Sequence, residues 1–244
     1  MPKTKPAHIL IKFPTRSRPK KFFAGLDNIL ATANDLKNIT IVITADYNDT
    51  TMYNAETLTQ YKTYLGTHKN LTLIFGESQN KVHAINRDME KFTDWDIVVV
   101  FSDDMEFVVK GWDDTVRYQF KELYANFDGN LHFNDGYVDD RCCTMLIMGK
   151  RYHDRFGYLY NPEYDSLECD VEHTIVAKKL KRIAYFKTPI AHHNHPVNTG
   201  KTQDIDAQLK FTEAQGAKDR ITYTRRAKIN YGLTDAYLLK ETLQ

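Results

Sequence analysis

The alternation of short apolar runs with longer stretches of helical periodicity constrains the fold of this chain most. Strand-like runs cover residues 8–13, 39–45 and 71–75. A fourth run, residues 97–101, is apolar at every position, so we expect both of its faces to be covered, as at the centre of a parallel sheet. Repeated strand–helix units predict an α/β fold, a three-layer α/β/α sandwich with a mostly parallel central sheet. The helices predicted between and after these runs cover residues 19–36, 55–65 and 81–91.

The second half of the sequence is less regular. Residues 127–141 are rich in turn-forming residues, and Pro189 interrupts the last predicted strand. The predicted elements are helices over residues 111–124, 149–156 and 170–180 and strands over residues 143–148 and 182–191. After Pro196 the sequence becomes polar, and helical stretches at 207–214 and 218–231 predict a C-terminal helical extension.

We therefore predict one main domain followed by a helical appendage. The main domain covers residues 1–196, with a first half ending near residue 106 and a second half over residues 107–196. The appendage covers residues 197–244 and extends the main domain without forming a second one. A chain of 244 residues is long enough to bury a sizeable core in this arrangement.

Composition excludes several classes of protein. Lys and Arg together number 33 against 32 Asp and Glu, so the chain lacks the positive charge of a protein held to nucleic acid by bulk electrostatics. The longest apolar run is far too short to span a membrane. Three cysteines, two of them adjacent, cannot form a disulfide framework. With no signal peptide at the N-terminus, they predict a cytoplasmic location.

Polar segments follow all four predicted strands of the first half, where open α/β sheets bind their ligands. The strongest of them is Ser102-Asp103-Asp104, after the fully apolar fourth run. Adjacent carboxylates repel one another, so a cation or hydrogen bonds must compensate for the pair. Carboxylate oxygens suit hard divalent ions such as Mg²⁺ and Mn²⁺. A solvated turn remains the alternative for this pair.

Histidines after the last predicted strand form a second candidate site. The segment reads His192-His193-Asn194-His195. In an extended backbone His193 and His195 point to the same side, which is a usual arrangement for metal ligands. A structural histidine cluster is the alternative.

Two further groups of charged residues each have a functional and a structural interpretation. Asp170, with Glu168 beside it, lies at the start of a predicted helix, where it serves either as the helix cap or as a catalytic carboxylate. Arg16 and Arg18 follow the first strand, where they either hold a diphosphate or form a solvated basic loop.

The order of these motifs resembles that of glycosyltransferases of the GT-A fold, in the broad family-2 style. The resemblance runs from about residue 8 to about residue 196. It implies a nucleotide-binding first half, an acceptor-binding second half, and transfer of a sugar from a nucleotide-sugar donor to a hydroxyl acceptor with inversion. A UDP-sugar is the favoured donor, and the acceptor is a glycan, a lipid, a protein or a modified nucleic acid.

The resemblance assigns donor-binding roles to four segments. Residues 14–19 are similar to the family's loop beside the nucleotide base, and Asp46 stands where these enzymes carry an acidic residue that touches the base. Residues 81–87 are similar to the helix near the nucleotide, and Asp103 matches the residue that bonds the ribose. The implied donor-binding residues are Pro14, Thr15, Arg16, Arg18, Asp46, Lys81, Asn86, Arg87 and Asp103.

The same resemblance implies a metal site and a general base. Asp104, His193 and His195 would hold Mn²⁺ or Mg²⁺. Ser102 stands where many relatives carry the first Asp of a spaced pair, so the motif is only DXD-like. Asp170 is the favoured base and Glu168 the second choice.

Two other functions stay open on the sequence. A nucleotidyltransferase on a similar sheet usually has a Gly-rich loop after its first strand, and residues 14–19 contain no Gly. A non-catalytic carbohydrate-binding or assembly protein would use aromatic rings to stack on sugars. Tyrosines grouped in the second half suit that role, although most such rings are ordinary core residues.

Overall fold

The apolar run at residues 97–101 forms the middle strand of a seven-stranded sheet. A computed structural model describes residues 5–200, 205–235 and 237–238. The strands of the main sheet are β1 (Ile9–Pro14), β2 (Ile39–Asp46), β3 (Leu71–Gly76), β4 (Ile97–Val100), β6 (Asn130–Phe133), β7 (Ile147–Gly149) and β8 (Ile183–Phe186). A separate two-stranded sheet pairs β5 (Met105–Phe107) with β9 (Ala191–His193).

The main sheet is parallel in its first half and mixed in its second. The strand order is β3-β2-β1-β4-β7-β6-β8. β1 pairs in parallel with both β2 and β4, and β2 pairs in parallel with β3. β7 runs antiparallel to β4 and β6, while β6 and β8 are parallel. All four residues of β4 are buried, which confirms the expectation that both faces of this run are covered.

Helices cover both faces of the sheet. They are α1 (Pro19–Thr32), α2 (Ala55–Thr67), α3 (Lys81–Asn86), α4 (Trp112–Leu123), α5 (Lys150–Phe156), α6 (Cys169–Lys179), α7 (Pro196–Thr199), α8 (Ala207–Ala214) and α9 (Gly216–Lys228). One apolar core joins Ile9 and Ile11 to side chains of α1, α2 and α4. The other joins Leu10 to side chains of α3, α5 and α6. Alternate residues of β1 thus face opposite cores, and the predicted three-layer α/β/α arrangement is confirmed.

Four secondary-structure predictions were wrong in detail. The strand predicted over residues 143–148 begins only at Ile147, and the turn-rich region 127–141 contains β6, whose four residues are all buried. The strand predicted over 182–191 is split between two sheets, because Pro189 cannot donate to a strand ladder. The helix predicted over 81–91 ends at Asn86, because the backbone is extended at Arg87 and left-handed at Asp88, with φ of 68°.

The C-terminal helices pack tightly on the second half of the chain. Asp219 of α9 is fully buried and accepts hydrogen bonds from the backbone N–H groups of Asp165, Ser166 and Leu167 at 2.7–2.8 Å. Arg226 donates to the buried Glu172 of α6 at 2.7 Å. In the described residues, no helix combines the length and the apolar character that crossing a bilayer requires.

Lys12 is a buried lysine in the middle of the main sheet, and it gives the first testable prediction. Its Nζ donates to the carbonyl oxygen of Arg87 at 2.7 Å, and burial lowers its pKa to about 7. In the unfolded chain a lysine stays protonated up to a pKa near 10.5. Between these two values the unfolded state binds one more proton, so the free energy of unfolding should rise by roughly 1.4 kcal/mol per pH unit.

Urea unfolding at pH 7.5 and 9.5 measures this contribution. We expect Lys12→Met to lose the pH-dependent gain, because its side chain does not titrate. Lys62→Met, which changes an exposed lysine of α2, should keep the wild-type slope. Equal slopes in wild type and Lys12→Met would contradict the prediction.

Candidate active site

A cleft of about 380 Å³ opens beyond the carboxyl ends of β1, β2 and β4. Parallel strands direct their following loops to the same edge of a sheet, which is why these segments meet there. All but three of the site residues predicted from the sequence line this cleft. They are Pro14, Thr15, Arg16, Arg18, Asp46, Lys81, Asp103, Asp104, Asp170, His193 and His195.

The two-stranded sheet brings Asp104 and His193 together. Asp104 directly precedes β5, and His193 ends β9, where it lies opposite Met105 in the antiparallel register. The N–H of Asn194 continues the pairing by donating to the carbonyl oxygen of Asp104 at 2.7 Å. His193 Nε2 therefore lies 3.4 Å from Asp104 Oδ2.

The two adjacent aspartates have opposite electrostatic surroundings. Burial would raise the pKa of Asp104, but the hydrogen bond and charge of His193 and the hydroxyl of Ser102 outweigh it and hold that pKa well below its usual range. For Asp103, burial raises the pKa to about 6, although Arg18 Nη1 donates to its Oδ1 at 2.9 Å. Asp104 is therefore the firmly ionised carboxylate of the pair.

The donor atoms around Asp104 suit a divalent cation. An ionised carboxylate lies beside the imidazole of His193, and the ring of His195 is 5.8 Å from the ring of His193. Burial lowers the pKa of His195, which favours the neutral form that a metal ligand requires. In the described ranges, no three His, Cys, Asp or Glu side chains are grouped so as to hold a metal ion on their own. A cation here would also need oxygens from a ligand or from water.

The end of the cleft formed by the loops after β1 and β2 carries polar atoms that lack hydrogen-bond partners. Arg16 Nη1 donates to Asp46 Oδ2 at 2.9 Å and to Asn48 Oδ1 at 2.8 Å. Asp46 Oδ1 and Thr15 Oγ1 are buried and lack a hydrogen-bond partner among the residues that the structure describes. Buried polar groups are almost always paired, so these two atoms are suited to bind a ligand.

The three predicted cations of the cleft differ in how many hydrogen bonds and ion pairs they form with the protein. Arg18 is held by two carboxylates, since its Nε and Nη2 donate to Asp206 at 2.6 and 2.8 Å and its Nη1 to Asp103. Arg16 is paired with Asp46. Lys81 is exposed, and within the described part of the chain its ammonium group forms no hydrogen bond or ion pair. Lys81 is therefore the most available cation for an anionic ligand.

Asn86 and Arg87 do not line the cleft, although the sequence resemblance placed them near the nucleotide. Asn86 Oδ1 accepts the backbone N–H groups of Leu159 and Tyr160 at 2.9 and 3.1 Å. Arg87 donates to the carbonyl oxygen of Ala45 at 2.9 Å and lies 3.7 Å from Asp46 Oδ1. Both side chains hold the surrounding loops together, and Arg87 supports Asp46 from behind.

The two candidate bases occupy different positions. Asp170 lies in the first turn of α6 and lines the cleft, with its Oδ1 accepting the N–H of Val171 at 2.9 Å. Glu168 is outside the cleft lining, 3.7 Å from Arg220. The alternative role of Asp170 as helix cap was wrong, because Glu168 occupies the N-cap position, without a side-chain cap and with φ of 61°.

No motif in the sequence indicated that the C-terminal extension contributes side chains to the cleft. Asp206 caps α8 by accepting the N–H of Leu209 at 2.8 Å, and residues of α8 line one wall. The capping role of Asp206 could be predicted from the sequence, because an Asp before a helical stretch indicates a helix cap. Its second role, as partner of Arg18, depends on a contact between residues far apart in the chain.

The sheet order, the covering helices and the cleft together define a GT-A-like glycosyltransferase fold. No protein-family model matches the sequence, and no curated protein does either. Solved structures do match. The mannosyltransferase PcManGT from Pyrobaculum calidifontis, in complex with GDP-Man and Mn²⁺, is 20% identical with a TM-score of 0.57, over 77% of this chain and 56% of that one.

Structures of TarS from S. aureus also match. Its fragment 1–349 with UDP-GlcNAc is 15% identical with a TM-score of 0.57, over 74% of this chain and 57% of that one. The same fragment with UDP is 15% identical with a TM-score of 0.59, over 96% and 75%. This chain thus spans little more than half of the PcManGT chain, and the likeness at these identities is one of fold.

Proposed function

We propose that this chain is a glycosyltransferase that moves a sugar from a nucleotide-sugar donor to a hydroxyl acceptor. The observation that carries the proposal is the meeting of Asp103, Asp104 and His193 in a cleft at the carboxyl edge of this sheet. The matching structures that hold GDP-Man with Mn²⁺, UDP-GlcNAc or UDP support a nucleotide-sugar ligand.

The nucleotide would lie across the ends of β1, β2 and β4. Asp46 and Thr15 would offer the base oxygens that lack hydrogen-bond partners, and Asp103 lines the same cleft for the ribose. We favour a UDP-sugar because of the family resemblance and because two of the matching structures hold uridine nucleotides. Residues 1–106 would then form the donor half of the chain.

A divalent cation, Mn²⁺ or Mg²⁺, would be held by Asp104 and His193, with His195 close by. When bound, such an ion stabilises the negative charge that builds on a departing diphosphate. Lys81 adds a positive charge at the same end of the cleft, where it already lowers the pKa of Asp104. The resemblance gave Arg18 to the donor; because its guanidinium is paired with Asp103 and Asp206, we propose that it also neutralises Asp103 and fixes the C-terminal extension.

The acceptor would enter from the second half, residues 107–196. Asp170 would take the proton of the attacking hydroxyl, and its place in the cleft lining, which Glu168 lacks, supports this choice. One base is sufficient for attack in a single step, which inverts the anomeric configuration. A cytoplasmic location belongs to this proposal as well, and the three free cysteines are consistent with it.

A screen of nucleotide-sugars tests the proposed function. We expect release of the nucleoside diphosphate from at least one donor, and we expect EDTA to stop it. Thermal melts with UDP and Mn²⁺ should show a stabilising shift. No release from any donor and no shift with any nucleoside diphosphate would contradict the proposal. Formation of a nucleotide-sugar from a nucleoside triphosphate and a sugar phosphate would instead identify a nucleotidyltransferase.

Replacing Asp46 tests the nucleotide end of the cleft. We expect Asp46→Ala to weaken binding of the nucleoside diphosphate by roughly 10- to 100-fold, since a hydrogen bond to a charged group contributes about 1.5–3 kcal/mol. Titration calorimetry measures the change. Glu77→Gln, which alters an exposed acid on the neighbouring loop, is the matched control and should bind like wild type. Unchanged affinity in Asp46→Ala would remove Asp46 from the site.

A further inference from the structure

We infer that Asp135 is a positioning residue that orients the imidazole of His193 toward the proposed cation. This inference rests on the proposed function, because it concerns the cation that the cleft would hold. Asp135 follows β6, the strand that the sequence did not reveal, and none of the sequence motifs pointed to it.

The carboxylate of Asp135 is buried and rigidly held. Its Oδ1 accepts the backbone N–H groups of Tyr137 and Val138 at 2.9 and 2.6 Å. Its Oδ2 accepts the hydroxyl of Thr144, a residue of the cleft lining, at 2.6 Å. Asp135 itself is only 5% exposed. Three donors thus fix the direction in which this charged group faces.

His193 lies between this carboxylate and Asp104. Its backbone N–H donates to the carbonyl oxygen of Asp135 at 3.0 Å, which ties β9 to the loop after β6. Its Nδ1 lies 3.9 Å from Asp135 Oδ2, and its Nε2 lies 3.4 Å from Asp104 Oδ2. Nδ1 is buried and has no hydrogen-bond partner within the described ranges, so Asp135 is the charged group placed to receive its proton.

This placement decides which ring nitrogen is presented to the cleft. A neutral imidazole has one N–H and one lone pair, and only the lone pair can bind a metal. With a lone pair on Nδ1, the ring would direct negative charge at the buried Asp135. Without a cation, Asp104 would favour the opposite tautomer, because a proton on Nε2 can be donated to it. A cation held by Asp104 would remove that preference, and the proton would then lie on Nδ1, facing Asp135, and leave Nε2 as the ligand atom. A carboxylate behind a histidine ligand commonly raises metal affinity in this way.

The test compares Mn²⁺ affinity in the full chain, measured by titration in the presence of UDP. We expect Asp135→Asn to weaken Mn²⁺ binding by roughly 10- to 100-fold. Its melting temperature in EDTA should stay close to that of wild type, because the amide can still accept the Tyr137 and Val138 N–H groups. Asp139→Asn changes an exposed acid on the same loop and should leave Mn²⁺ binding unchanged.

A double-mutant cycle separates positioning from a general loss of structure. If Asp135 acts through His193, then Asp135→Asn should change Mn²⁺ affinity by less than twofold once His193→Gln is present. Equal losses in both backgrounds would overturn the inference. Should Asp135→Asn fail to fold, Thr144→Val removes the hydroxyl that orients Oδ2, and we expect it to weaken Mn²⁺ binding in the same direction.

The failures of the two proposals can be told apart. If wild-type protein with UDP binds no Mn²⁺ or Mg²⁺, the metal-dependent function fails, and the inference about Asp135 fails with it. If wild type binds the ion and Asp135→Asn binds it equally well, only the inference is overturned.

Discussion

Asp104→Ala is expected to abolish both hydrolysis of the donor and sugar transfer. Asp104 is the firmly ionised carboxylate of its pair, and it lies 3.4 Å from the other proposed ligand, His193. A cation at a leaving diphosphate contributes several kcal/mol to the transition state, so we expect turnover to fall by about 10³-fold or more. Mn²⁺ affinity should fall as well. Nucleoside diphosphate release and Mn²⁺ titration measure the two effects.

Glu106→Ala is the matched control for this variant. Glu106 is an exposed acid two residues further along, on β5, so its loss changes the net charge equally without altering the cleft lining. Turnover of Glu106→Ala should stay within a few-fold of wild type. Turnover of Asp104→Ala at the wild-type level would eliminate the metal assignment.

Asp170→Asn is expected to keep donor binding and lose transfer. The amide has nearly the size of the carboxylate and can still accept the N–H of Val171, so the start of α6 should keep its geometry. It cannot take a proton, and loss of a general base typically lowers the rate by about 10²- to 10⁴-fold. Donor affinity by calorimetry and transfer to a panel of glycoside acceptors measure the two quantities separately.

Glu168→Gln provides the comparison for the base assignment. Glu168 lies outside the cleft lining, so this variant should transfer sugar at close to the wild-type rate. A large loss in Glu168→Gln with normal transfer in Asp170→Asn would move the base to Glu168. Normal transfer in both would place the base elsewhere in the cleft.

The sequence predicted the parts of the fold that depend on local patterns. The fully apolar residues 97–101 identified the central strand, because a strand buried on both faces has no polar positions. β6 was not predicted because Asn130 is a turn-forming residue and His132 is polar, yet both are buried in the structure. Asn130 finds a partner there, donating to the carbonyl oxygen of Arg182 at 2.9 Å. A hydrogen-bond partner in a distant segment cannot be recognised from the residues of the strand itself.

The candidate site, like the fold, could be predicted where sheet topology is sufficient, but not where contacts between distant segments decide. Residues directly after β1, β2 and β4 were expected to share an edge, since parallel topology alone brings them there. The approach of His193 to Asp104 followed only from the family resemblance, and its cause is the pairing of β9 with β5. Asn86 and Arg87 carry polar groups suited to a nucleotide, but neighbouring backbone groups already engage them.

The burial of Asp219 determines how short a working version of this protein can be. Its carboxylate satisfies three backbone amides immediately upstream of the helix that bears Asp170. Ending the chain near residue 200 would leave those amides without their acceptor, at about 1–3 kcal/mol for each one that stays shielded from water. Truncations and fusions should therefore end or be joined beyond α9, because three backbone amides of the second half depend on its Asp219.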